Sequence, residues 1–258
     1  MNKIELSITR QWFDSYAHSF AGEDQTLAPL LRLKYDHSFR VERLASRIAS
    51  ELGWSERDIS SSRAVAVLHD VGRFRQFADY GTFYDPESAD HGDLGEAVLS
   101  EEFPWEYLDG HHKSIIRDAV KYHNKRIIPD GVQEEALPFL KLVRDADKLD
   151  VFTVVREHVE DGRVRELLPR IKPEPEVSRA LVEEIEKEGS ASYSNVSTLL
   201  DFLLVQATWV FDINFNPSLS ILKENGTIGW LAESLSVDPA SDIIMEKVKA
   251  RLNSSLDR

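Results

Sequence analysis

Hydrophobic residues recur at helical spacing along almost the whole chain. Over residues 4–20, Ile4, Leu6, Ile8, Trp12, Phe13, Tyr16 and Phe20 predict an amphipathic helix, and Gly22, Asp24 and Pro29 break it. Residues 30–52 carry one stripe, Leu33, His37, Val41, Leu44, Ile48 and Leu52, with charges elsewhere and Gly53 as a stop. Ser55 to Asp58 resembles a capping box. It opens a helix through Ile59, Ala64, Val65 and Leu68 that delivers His69 and Asp70 at its C-terminal end. Gly72 supplies flexible backbone for the chain to leave that helix, and residues 75–90, rich in aromatics and turn formers, read as a loop able to roof a pocket. The next helix starts near Asp90 with His91 in its first turn. Another, from about Ser114, sets Ile116, Ala119, Val120 and His123 on one face.

A long helix follows over residues 134–160. Leu140, Val143, Asp147, Val151 and Val154 form its stripe, Asp150 lies at the edge, and Asp145 points to roughly the opposite side. Gly162 closes it, and Pro169, Pro173 and Pro175 mark a polar connection. Beyond that the pattern predicts a charged helix over 176–187, a loop over 189–195 and an apolar helix over 197–213. Short helices are expected around Trp230 to Leu235 and over 243–252. No internal repeat and no persistent alternation argues for a sheet, so the fold class is all-α.

Composition narrows the partners. The 258 residues carry a formal net charge of −14, which repels nucleic acid and anionic membrane as a whole; a local basic patch, Arg117, Lys121, Lys125 and Arg126, is the one exception in view. No cysteine is present, which excludes disulfides, thiolate metal sites and cysteine nucleophiles. There is no signal-peptide pattern at Met1 to Arg10 and no run of apolar residues long enough to span a bilayer; the expected location is cytoplasmic. Neither a glycine-rich lysine loop nor a nucleophile elbow occurs.

The candidate chemistry lies in polar residues placed where core residues belong. His37, His123 and Asp147 sit on apolar stripes, and the His69-Asp70 pair ends an apolar run; an unpaired charge or imidazole there is costly, and a metal ion is the usual partner. His91 joins them in chain order, whereas His18, His111, His112 and His158 read as exposed histidines. Four imidazoles and two carboxylates suit Mn, Fe, Co, Ni or Zn better than Mg, which prefers oxygen.

The order H…HD…D, met by His37, His69-Asp70 and Asp147, resembles the HD-domain superfamily of metal-dependent phosphohydrolases, and the segments LHDVGRF (68–74) and RDADKLD (144–150) resemble it closely. The resemblance implies one helical domain over 1–258, with an HD core over about 25–155 and an accessory helical part over about 156–258. It implies a divalent transition metal on His37, His69, Asp70 and Asp147. As in dinuclear members, Asp70 would bridge to a second metal held by His91 and His123. It also implies hydrolysis of a small phosphate ester, such as a nucleotide, by metal-activated water, with Asp70 holding the water and Arg73, Lys125 and Lys148 as candidates to receive phosphate oxygens. Two other activities share this scaffold: a di-iron oxygenase with the same ligand order, and a non-catalytic nucleotide-binding sensor. Oligomeric state has no signature in the sequence.

Overall fold

The computed structural model describes residues 1–172, 174 and 176–254; Pro173 and Pro175 of the expected connection lie outside them. The described chain falls into two compact units, Met1–Asp150 and Val151–Arg258. Among the described residues the only strand-like pairing is an isolated bridge between Lys172 and Thr198, so the fold is all-α. No helix among them is long and apolar enough to cross a membrane.

The first unit contains α1 (Lys3–His18), α2 (Pro29–Glu51), α3 (Glu56–Leu68), α4 (Gly72–Tyr80), α5 (His91–Glu102), α6 (Gly110–Tyr122) and the start of α7 (Leu137–Glu160). Its core gathers Phe13, Ile48, Leu68, Phe74, Leu99, Ile115, Ile116 and Leu140, all essentially without exposure. Each such side chain contributes roughly 1.5–3 kcal/mol of hydrophobic stabilisation. α2 packs along α3, and α5 packs against both α4 and α6. These contacts bring the C-terminal ends of α3 and α6 to the start of α5.

Three local expectations change. Residues 72–80 form a helix rather than the first half of a loop, because Phe74 and the buried Gln76 give the segment an inward face. The loop is confined to residues 81–90, with a 3₁₀ turn at Asp85–Glu87. Gly72 is also not a flexible exit. A Cβ there would run into the His91 carbonyl oxygen and stand 2.5 Å from the Gly95 nitrogen, so the missing side chain allows α4 to approach α5 closely. Gly92 does the same toward α6, where a Cβ would lie 2.5 Å from the Lys121 carbonyl oxygen. At the start of α3 the capping box is half made: Ser55 Oγ accepts from the Asp58 N–H at 3.2 Å, but its hydroxyl donates back to the Asp58 carboxylate at 2.7 Å.

The second unit contains the remainder of α7, a single turn α8 (Val164–Leu167), and α9 (Arg179–Glu188), α10 (Leu199–Thr208), α11 (Asn216–Glu224), α12 (Thr227–Leu235) and α13 (Asp242–Ser254). α10 is its central element, apolar almost all round and packed against α9, α12 and α13. The α11 helix has no counterpart in the expected pattern; Pro217 stands inside its first turn, where a missing N–H is harmless.

Candidate metal centre

Each donor arrives at a helix end or on a buried helix face. Lys34, His37 and Val41 share one face of α2 by their i, i+3, i+7 spacing. His69 caps α3 and His123 caps α6, and the two are built alike. His69 Nδ1 donates to the Ala66 carbonyl and His123 Nδ1 to the Val120 carbonyl, both at 2.7 Å. Each ring thus satisfies one of the carbonyls that a helix end leaves open, and turns its Nε2 lone pair outward. His91 begins α5, and Asp147 comes from α7.

The outward atoms converge as two adjoining groups on the two oxygens of Asp70, and a third set, His69, His123 and Asp147, spans them. In the first, His37 Nε2 lies 3.2 Å from His69 Nε2, 3.1 Å from Asp147 Oδ1 and 3.6 Å from Asp70 Oδ2. His69 Nε2 is 3.7 Å from both Asp70 Oδ2 and Asp147 Oδ1. In the second, Asp70 Oδ1 lies 3.5 Å from His91 Nε2 and 3.6 Å from His123 Nε2, and those two nitrogens are 3.1 Å apart. The two oxygens of one carboxylate therefore face different groups.

The donor chemistry fits a cation. Because His69 Nδ1 and His123 Nδ1 donate to carbonyls, their Nε2 atoms carry lone pairs, and each faces another imidazole Nε2 at little more than 3 Å. Two lone pairs at that distance repel unless a cation lies between them. Ligands held about 2.0–2.1 Å from one ion stand roughly 3–3.4 Å from each other, which is the separation seen. The outer nitrogens are fixed as well. His37 Nδ1 donates to Asp150 Oδ2 at 2.6 Å, and Arg40 binds the same carboxylate at 2.7 and 3.0 Å. His91 Nδ1 donates to Asp85 Oδ2 at 2.6 Å; the nearby Asn124 amide gives its hydrogens to Asp90 and Asp85. Carboxylate partners of this kind orient a ligating imidazole and make it a better donor.

The titration tendencies agree. Burial and Lys34 oppose a charge on His37, but Asp147 and Asp150 outweigh them and raise it. Burial, partly offset by the acids nearby, pushes His69 down; burial together with Arg73 pushes His91 down, leaving both as neutral donors. Burial also opposes ionisation of Asp70 and Asp147. Lys34 at the first and His37 at the second nevertheless hold both carboxyls well below the usual range. Asp147 keeps 27% of its side chain exposed and Asp70 only 4%, so the centre opens on the Asp147 side.

Several residues differ from the sequence reading. Asp145, expected to face outward, has no exposure at all, because α7 is buried on nearly every side between Leu140 and Asp150 and not along one stripe. His112 and His158 are buried rather than exposed. His158 donates from Nδ1 to the Val154 carbonyl at 2.7 Å, and neither joins a donor group, so burial alone does not mark a ligand. Lys125 lies against Asp90 and Asp93 at 2.7 and 3.2 Å, and Lys148 reaches back to the Arg144 carbonyl at 3.5 Å. The ammonium that meets the centre is that of Lys34, 2.7 Å from Asp70 Oδ2. Its signal was its position one turn before His37 on the same face. Arg73 Nη1 donates to Asp85 Oδ1, the Gln76 side-chain oxygen and the Phe83 carbonyl at 2.7–2.8 Å. Its Nε–H is buried without an acceptor, 3.6 Å from Asp70 Oδ1. Arg144, buried, donates to the His123 carbonyl at 2.9 Å and so pins the end of α6 to α7.

The helix ends of this core converge on a buried His/Asp donor set that could hold a divalent metal. Residues 35–152 match the family model of the HD domain, a superfamily whose members are in general metal-dependent phosphohydrolases. Searches of curated proteins and of solved structures found no match.

Proposed function

We propose that the chain is a phosphohydrolase that uses one or two divalent transition metals on a small phosphate ester, with a nucleotide as the favoured substrate class. The observation that carries this reading is the pair of cationic side chains beside the shared carboxylate. Lys34 stands on one oxygen of Asp70, and the unpartnered Nε–H of Arg73 stands near the other. The Phe83 ring lies 5.9 Å from the Lys34 ammonium and 5.8 Å from the Arg73 guanidinium, which holds both in place.

His37, His69, Asp70 and Asp147 would hold one ion, and Asp70, His91 and His123 the other. Ions bound there would acidify water to near neutral pH and withdraw charge from a phosphoryl group. Asp70 sets the two ligand groups side by side. Arg73 donates its free Nε–H to a phosphoryl oxygen, and Lys34 offers an ammonium to a second. The overall charge of −14 favours a small substrate over nucleic acid.

The test is phosphate release from a panel of mononucleotides, cyclic nucleotides and a bis-aryl phosphodiester after loading with Mn, Fe, Co or Ni. Turnover that disappears in Asp70→Ala supports the reading. Retained iron with O₂ consumption and no phosphate release would replace it with the oxygenase, and tight nucleotide binding without turnover would replace it with the sensor.

A further inference from the structure

Of the four imidazoles, three take their orientation from helices. His69 and His123 bond to carbonyls of their own helices, and His37 bonds to Asp150 on α7. His91 alone is oriented from a loop, by Asp85 in the 3₁₀ turn between α4 and α5. The same carboxylate fastens that loop: its Oδ1 accepts from Arg73 Nη1 and from Gln76 Nε2, both at 2.8 Å. Gln76 is fully buried and also donates to Ser88 Oγ and the Ala89 carbonyl at 2.8 and 2.9 Å. The loop contributes little to the core, since Tyr84 is exposed and Asp85 partly so, and these polar anchors hold it.

We infer that Asp85 is a positioning residue that ties loop 81–90 to His91, so that loop order and ion binding at Asp70, His91 and His123 depend on each other. His37 and His69 take their orienting bonds from Asp150 and Ala66, outside the loop. Linkage is reciprocal: whatever orders the loop tightens that ion, and the ion orders the loop. The inference rests on the two-metal reading above.

Asp85→Asn separates this role from simple packing, because the amide is the same size but accepts on one side only. If its oxygen keeps His91 Nδ1–H, its NH₂ meets the donors of Arg73 and Gln76; if it keeps those donors, its NH₂ meets His91. Either way the chain of bonds from Arg73 and Gln76 through residue 85 to the imidazole is broken. Gln76→Ala loosens the loop while leaving the Asp85–His91 pair intact.

The experiment is Mn²⁺ titration by calorimetry on the full chain, wild type and both variants, with hydrogen exchange over residues 81–90 before and after the ion is added. In the wild type, two Mn²⁺ bind and the loop gains protection with the second. In Asp85→Asn one ion weakens by about 10–100-fold, as for loss of other outer-shell partners, while the other is unchanged and the gain in protection is lost. Gln76→Ala weakens the same ion, by less. Two ions bound with wild-type affinity in Asp85→Asn, or a loosened loop in Gln76→Ala with both affinities unchanged, would overturn the inference while leaving the metal reading standing. A wild type that binds no second ion would overturn both.

Discussion

Asp70 in the first unit and Asp201 in the second are both buried aspartates at helix ends, yet their surroundings are opposite. Asp201 sits in the first turn of α10 and is saturated with donors. Its Oδ1 accepts from the Ser178 N–H at 2.6 Å, and its Oδ2 from the Ser178 hydroxyl at 2.6 Å and the Ser197 and Thr198 N–H groups at 2.9 and 3.1 Å. Asp70 has one close donor, Lys34, and otherwise faces imidazole nitrogens and the Arg73 Nε at 3.5–3.7 Å, too far for hydrogen bonds. A carboxylate that the chain satisfies completely holds structure together; one left facing lone pairs is prepared for a cation. Burial does not distinguish them, and the kind of partner does.

Substitutions sharpen that contrast. The largest effect is expected at Asp70. Asp70→Ala removes the shared ligand, so both ions and at least about 10³-fold of activity should be lost while circular dichroism stays helical, since ligand replacement abolishes the charge stabilisation on which such a centre relies. Asp201→Ala should do the reverse. Leaving several buried donors unpaired costs on the order of 3 kcal/mol of stability, read by denaturant unfolding, with metal content per folded chain unchanged.

Acid tests the same residue. Burial opposes the charge of Asp201, but the bonds from Ser178, Ser197 and Thr198 outweigh it and hold its carboxyl below the ordinary 3.8. A depressed carboxyl adds stability above its unfolded value and loses it as pH falls through the folded one. The stability gap between wild type and Asp201→Asn should therefore be full near neutral pH and close in acid below 3.8.

Asp145 and Asp147 come next. Asp145→Ala should lower stability by about 1–3 kcal/mol with metal retained, whereas Asp147→Ala should lose metal with little loss of stability. Metal loss at Asp145 and not at Asp147 would break the assignment of α7. The smallest effect is expected at Lys34. Lys34→Met should raise KM for a phosphate ester by roughly tenfold, about 1.4 kcal/mol of binding, while leaving metal content unchanged.

Much of this was legible in the sequence. Helical periodicity located most helices, and polar residues on apolar stripes singled out His37, His123 and Asp147, because a buried donor leaves a visible fault in the pattern. What periodicity could not see was any contact made between elements. Asp85 lies in a stretch where a charged residue looks ordinary, and its importance comes only from what stands opposite it. The stripe rule failed at Asp145 because it assumes one solvent-facing side, and α7 has almost none between residues 140 and 150. Gly72 misled for a related reason: its small size serves the packing of α4 on α5, which the local sequence does not record.

Two groups of donors sharing one carboxylate should hold two ions. The most direct test is metal content by mass spectrometry of the untagged protein, purified without chelator, beside His123→Ala. Two transition metals per chain, falling to about one in the variant, is the predicted result. One metal in both samples would return His123 to the pocket wall and contradict the shared-carboxylate centre, and no metal in either, even after reconstitution with Mn, Fe, Co or Ni, would contradict the metal centre altogether.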